Sequence, residues 1–207
     1  MVSVFEGISR VASNNSDLSV AHRADQFSAL VSNCAITGRN CIALDLENGI
    51  SAIVETLARA RNSKNSVYVI GNGGSAGIAG HVTIDFVNIA KLRAFTLHDA
   101  PLLTCMANDY GYENAFARLL GQMAKPGDVL IAISSSGRSP NICNAAAQVA
   151  AIGGVVITLS GFMADNPLRT LGDINVWLPS TDYGLVEIGH QFVLHNVTDR
   201  FGANHFE

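Results

Sequence analysis

The stretch VYVIGNGGSAGIAGHVTIDF, residues 67–86, sets the reading of the chain. An unbroken apolar run stops at Gly71-Asn72-Gly73-Gly74-Ser75, and a helical pattern follows that carries His81 and Asp85 four residues apart. A run without alternation fits a strand buried on both faces, and a glycine-rich turn between strand and helix belongs to the carboxyl edge of a parallel sheet. The same rhythm repeats outward from this stretch. Apolar runs stand at VYVIG (67–71), AFTL (94–97), VLIAIS (129–134), VVITLS (155–160) and INVWLP (174–179). Helical patterns separate them at 75–89, 112–123 and 141–151, with a long one at about 185–201. Such alternation, with right-handed crossovers, predicts an α/β chain folded as a three-layer α/β/α sandwich around a five-stranded parallel sheet.

The chain upstream reads as helical. Residues 18–34 carry apolar side chains at helical spacing, with Asp17 placed to cap them, and ITGRN follows as a break. Residues 46–60 repeat the pattern with Ile50, Ile53, Val54 and Leu57. This divides the chain into an N-terminal helical region, 1–62, and an α/β domain, 63–207. The helices of the first region either pack on the core or form an arm for subunit contacts.

Composition narrows the function classes. Of 207 residues, 48% are apolar and 14% charged, which is globular and short of surface charge, a hint of buried subunit interfaces. The net charge is −4 and Lys and Arg do not cluster, which argues against nucleic acid as the main ligand. No apolar run reaches the ~18 residues of a membrane span. The first residues, MVSVFEGISRVASNNSD, lack the basic start and apolar centre of a signal peptide. The four cysteines show no CxxC spacing, which suits reduced thiols and a cytoplasmic protein.

Two turns open helices at strand ends. In IAISSSGRSPN (131–141), Ser134, Ser135, Ser136 and Ser139 stand before a helix whose first turn holds Pro140. Hydroxyls and free backbone N–H groups at a helix N-terminus make an anion cradle. Without a Lys after the glycine, a phosphate monoester fits better than a nucleoside triphosphate. An ordinary polar turn with Ser139 as N-cap is the plainer reading. The other turn, with Asn72, Gly73, Gly74 and Ser75, also fits GxGxxA, and Asp99 stands where a ribose-binding acid would in a dinucleotide site. The helix after it places His81 and Asp85 on one face. The C-terminal helix carries Glu187, His190, Gln191 and His195. Glu187 and His195 are eight residues apart, ~12 Å along the axis. His81, Asp85, Glu187 and His195 can hold a divalent ion or serve as general acids and bases. Asn108-Asp109, in CMANDYGYE, reads as a polar turn at another strand's end.

Taken together, GNGGSA (71–76), MANDYGYE (106–113), GDVLIAISSSGRSPN (127–141), VITLSG (156–161) and E-x-x-H-x-x-x-x-H (187–195) resemble the sugar isomerase (SIS) domain family, and within it the phosphoheptose isomerases. The similarity runs from about Leu46 to Phe201. The resemblance implies a flavodoxin-like sandwich, with 63–207 as its sugar-phosphate-binding domain. It implies interconversion of sedoheptulose 7-phosphate and D-glycero-D-manno-heptose 7-phosphate through an enediol, in heptose precursor biosynthesis. Asn72, Gly73, Gly74 and Ser75 then belong to the first substrate loop. Ser134, Ser135, Ser136 and Ser139 bind phosphate and substrate, and Asn108, Asp109 and Glu187 also contact substrate. Asp85 and His195 are the catalytic pair. His81, Asp85, Glu187 and His195 are the ligands of a Zn2+ or other divalent ion. A homotetramer with active sites between subunits is implied too.

The chain departs from the family at the chemistry. Asp85 stands where the family usually has Glu, Glu187 where it has Gln, and Gly184 where it has Asp. A carboxylate shorter by one methylene is displaced by over an ångström, a shift that can cost ~10²-fold in rate. A metal-bound Asp85 is also a poorer base, so its two roles compete. These departures leave open an isomerase of another phosphorylated sugar. A non-catalytic SIS scaffold is the remaining alternative, and the presence of both histidines weighs against it.

Overall fold

The structure, a computed structural model, describes residues 18–203. The reading of the first residues as free of a signal peptide, and Asp17 as a cap, lie outside the described residues. Helix α1 (Val20–Ser32) is instead capped by Ser19, whose hydroxyl accepts from the His22 amide. Strands β1 (Ala35–Gly38) and β2 (Ala43–Leu44) follow, then α2 (Leu46–Asn62), capped by Asp45. The alternating part comprises β3 (Ser66–Ile70), α3 (Gly74–Asn88), β4 (Arg93–Thr96), α4 (Ala100–Tyr110), α5 (Ala115–Met123), β5 (Val129–Ser134), α6 (Pro140–Ile152), β6 (Val155–Ser160), β7 (Ile174–Trp177) and α7 (Tyr183–Ala203).

The strands form one sheet in the order β2-β1-β7-β6-β5-β3-β4. Its five parallel members are those expected from the apolar runs. Two more strands, β1 and β2, add antiparallel to the β7 edge, so the sheet has seven strands where five were expected. Residues 35–38 are too few to show a period in sequence. Pairing along the β7 edge makes them a strand, with Ile36 opposite Val176 and buried against α2.

Side chains alternate across the sheet and build two cores. Val67, Val69, Val129, Ile131, Ile133, Ile157 and Leu159 face α2, α3 and α7. Tyr68, Ile70, Leu130, Ala132 and Val156 face α5 and α6. This is the expected three-layer sandwich. Helix α4 was not expected. Asp99 caps it by accepting from the Leu102 amide at 3.2 Å, and Pro101 sits in its first turn, so both local start signals were present.

Counting only the parallel strands, the order is that of a flavodoxin-like sheet, which reverses direction between β3 and β5. A crevice opens beyond the carboxyl ends of adjacent strands at such a point. The glycine-rich turn follows β3 and the serine turn follows β5, so both lie at that crevice.

Candidate active site

The crevice holds a cavity of about 260 Å³ lined by Asn72 to Ser75, Ser134 to Ser136, Ser139, Tyr183 and Glu187. The N-termini of α3 and α6 both open onto it, and each carries positive partial charge. Ser134 donates to Ser139 Oγ at 3.2 Å, and Ser136 Oγ accepts from the Arg138 amide. Ser135 is buried, and its hydroxyl has no partner. A buried unpaired hydroxyl costs stability unless a ligand or water meets it. Among the described residues no lysine or arginine lines the cavity, and Glu187 is its one acidic side chain. The Glu187 carboxylate presses on the start of α3. A Cβ added at Gly74 would meet that carboxylate, so a larger residue there would push the Glu187 side chain aside.

Two polar networks fix the glycine-rich turn. Asn72 and Asn141 exchange amide hydrogen bonds, each 2.9 Å, and Tyr112 donates to Asn72 Oδ1 at 2.8 Å. His98 Nε2 lies 3.0 Å from the Gly71 carbonyl. The same nitrogen lies 3.3 Å from the Gly71 amide, so the ring meets Gly71 as donor or acceptor according to its tautomer. Burial pushes its pKa down, which favours the neutral ring. These holding residues were not singled out in sequence. Asn141 and Tyr112 stand within motifs that were quoted, whereas His98 follows β4 with no pattern around it.

Further along the same pair of helices, α3 and α7 bring His81, Asp85 and His195 together. One donor atom from each lies within 4.8 Å of the others. His81 Nε2 and His195 Nδ1 are each 3.4 Å from Asp85 Oδ2, and the two rings meet edge to face at 4.9 Å. Asp85 Oδ2 is itself buried and accepts no hydrogen bond. Two imidazole nitrogens around an orphaned carboxylate oxygen form a set that suits a divalent cation. Glu187 stands outside this trio, by one side of the cavity. Asn108 and Asp109 are exposed on the last turn of α4, bonded to one another at 2.9 Å, and do not line the cavity. The expectation of a loop there failed because α4 extends through them.

The chain is similar to known proteins over most of its length. The family model described as SIS domain matches residues 40–161. A phosphoheptose isomerase of Geotalea daltonii is 34% identical over 164 residues, 76% of this chain and 85% of that protein. One from Mycobacterium tuberculosis is 33% identical over 154 residues, 72% of this chain and 78% of that protein. The solved structure of a phosphoheptose isomerase from Francisella tularensis superposes with a TM-score of 0.78 at 24% identity, covering 91% of this chain and 97% of that one. This last likeness shows the shared fold.

Proposed function

Because the chain belongs to the SIS domain family, with the phosphoheptose isomerases, we propose that it is an aldose–ketose isomerase. It converts sedoheptulose 7-phosphate to D-glycero-D-manno-heptose 7-phosphate, for heptose precursors. The observation that carries this reading is the pairing of an anion cradle, at the N-termini of α3 and α6, with a carboxylate between two imidazoles on α3 and α7.

The phosphate sits at the serine turn, on the hydroxyls of Ser134, Ser135, Ser136 and Ser139 and the N-terminus of α6. Held there, remote from the reaction, it anchors the substrate. Asn72 to Ser75 and Glu187 contact the sugar body. Asp85 removes the C1 proton of the ketose, the C1–C2 enediol forms, and the proton returns at C2. His195 moves the accompanying proton from the C1 oxygen to the C2 oxygen, so atoms and charge balance. His81, Asp85 and His195 would hold Zn2+. When bound, the ion supplies polarisation of the carbonyl and hydroxyl oxygens.

We also assign a homotetramer and a cytoplasmic setting. His81 and His195 are 55% and 42% exposed, a poor environment for proton transfer unless a neighbouring subunit excludes water. All four cysteines are free, as a reducing compartment requires. Among the described residues no helix is long and apolar enough to cross a membrane.

The test follows the sugar carbons by NMR as metal-analysed protein is incubated with sedoheptulose 7-phosphate. The mannoheptose 7-phosphate should appear with wild type and vanish with His195→Ala. No turnover with the metal site loaded overturns the substrate assignment.

A further inference from the structure

Asn166 has no part in the chemistry above. It is fully buried after β6, at the start of the short turn Pro167–Thr170. Its amide nitrogen shares two hydrogens among the Met163 carbonyl at 2.8 Å, the Gly161 carbonyl at 3.2 Å and Ser160 Oγ at 3.3 Å. Its Oδ1 accepts from the Arg169 amide at 3.1 Å. One side chain therefore ties residues 160, 161, 163 and 169 together.

That segment lies under the serine turn and is bonded to it on both sides. The Gly161 amide donates to the Ser135 carbonyl at 2.9 Å, and the Leu168 amide donates to the Gly137 carbonyl at 3.1 Å. Asn166 Oδ1 stands against Gly137 itself. A Cβ built there would lie 1.9 Å from it, and Gly137 has φ +61°, so the turn is shaped to admit the amide. The turn's own bonds are few: Gly137 amide to Ser134 carbonyl, Ser134 to Ser139, and Arg138 amide to Ser136. A cradle of hydroxyls and amides must be held to about 0.5 Å to bind well, and here the support comes from below.

We propose that Asn166 is a positioning residue for the phosphate cradle. Its buried amide shapes the segment on which Ser134 to Ser139 rests and thereby sets how tightly a phosphate monoester is held. The inference rests on the serine turn being the phosphate seat. It predicts an effect on phosphate affinity and KM that leaves kcat and divalent-ion binding at His81, Asp85 and His195 unchanged.

The experiment is a 31P NMR titration of inorganic phosphate into the full-length protein, alongside steady-state kinetics and metal binding. Wild type should bind phosphate, and Ser135→Ala should weaken it; failure of that pair overturns the seat itself. Given the seat, Asn166→Ala should weaken phosphate and raise KM about tenfold, the scale of one lost buried hydrogen-bond network. Equal phosphate affinity, or a fall in kcat at unchanged KM, overturns the role of Asn166. Gly137→Ala probes the contact from the other side, even if Asn166→Ala fails to fold. It should weaken phosphate on its own, and adding Asn166→Gly should restore part of the loss by making room for the methyl. Losses that simply multiply in the double variant would show that the contact transmits nothing.

Discussion

Single side chains divide the labour within the site. Asp85 is the point where cost and use meet, since its Oδ2 is buried without a hydrogen bond and two imidazoles stand 3.4 Å away. Asp85→Asn keeps the shape and removes the charge. Divalent-ion binding, measured by equilibrium dialysis, should collapse, and isomerisation should fall roughly 10²- to 10⁴-fold, the range of a lost general base. With the phosphate seated as proposed, Glu187 acts in the opposite sense, as the one acidic side chain lining that cavity among the described residues. Like charges that share a cavity of this size repel by about 1–2 kcal/mol at an effective dielectric near 20–40. Glu187→Gln should therefore tighten inorganic phosphate about tenfold, read from its inhibition constant. Unchanged or weaker phosphate binding would place the anion elsewhere. The residue types were legible in sequence. That Glu187 faces the cavity and His195 the trio was not, because both lie on one helix and its rotation depends on packing.

At the scale of elements, α7 is the member that ties the two halves of the site together. It carries Glu187 at one end and His195 about 12 Å further along. Between them His190 is fully buried, with Nε2 at 3.1 Å from the Ser160 carbonyl at the end of β6. Because that partner only accepts, Nε2 carries a proton and donates. Burial pushes the His190 pKa down to about 4 from an ordinary 6.5. The unfolded chain thus binds more protons in that interval, and stability rises with pH there. It is fully present above pH 6.5, is lost as pH falls through the window to about 4, and amounts to roughly 3 kcal/mol in all. Denaturant unfolding at pH 7.5 and pH 5 should differ by about 2 kcal/mol from this group. His190→Gln, which can still donate to Ser160, should remove that share of the slope. An unchanged slope would mean the ring is hydrated or protonated in the native state. His98, lowered by the same cause, adds a smaller part of the same sign.

For the whole molecule, α3 decides what surrounds the site. It is apolar nearly all round, yet Gly77, Ile84 and Val87 are exposed, as is Ile188 on α7. A helix apolar on every side belongs in an interior. Light scattering should accordingly report a tetramer. Ile188→Glu should lower both the assembly state and turnover together, with protein concentration restoring part of each. A fully active monomer would refute the shared site. The low charged fraction of 14% pointed the same way in sequence but did not say which face is covered.

The sequence by itself determined the five parallel strands, most of the helices that cover them and the two turns that meet at the carboxyl edge. Each is a local consequence of apolar periodicity and of glycine and serine at strand ends. Helix α4 had its start signals in Asp99 and Pro101 but a weak apolar stripe, and β1 was too short for any period. Only tertiary structure decided the strand order that places β3 beside β5, the antiparallel pair on the β7 edge, and the approach of α3 to α7. The reason is physical. Residues 85 and 195, or 137 and 166, share no local pattern, and they meet because helices and loops must bury their apolar faces on one sheet.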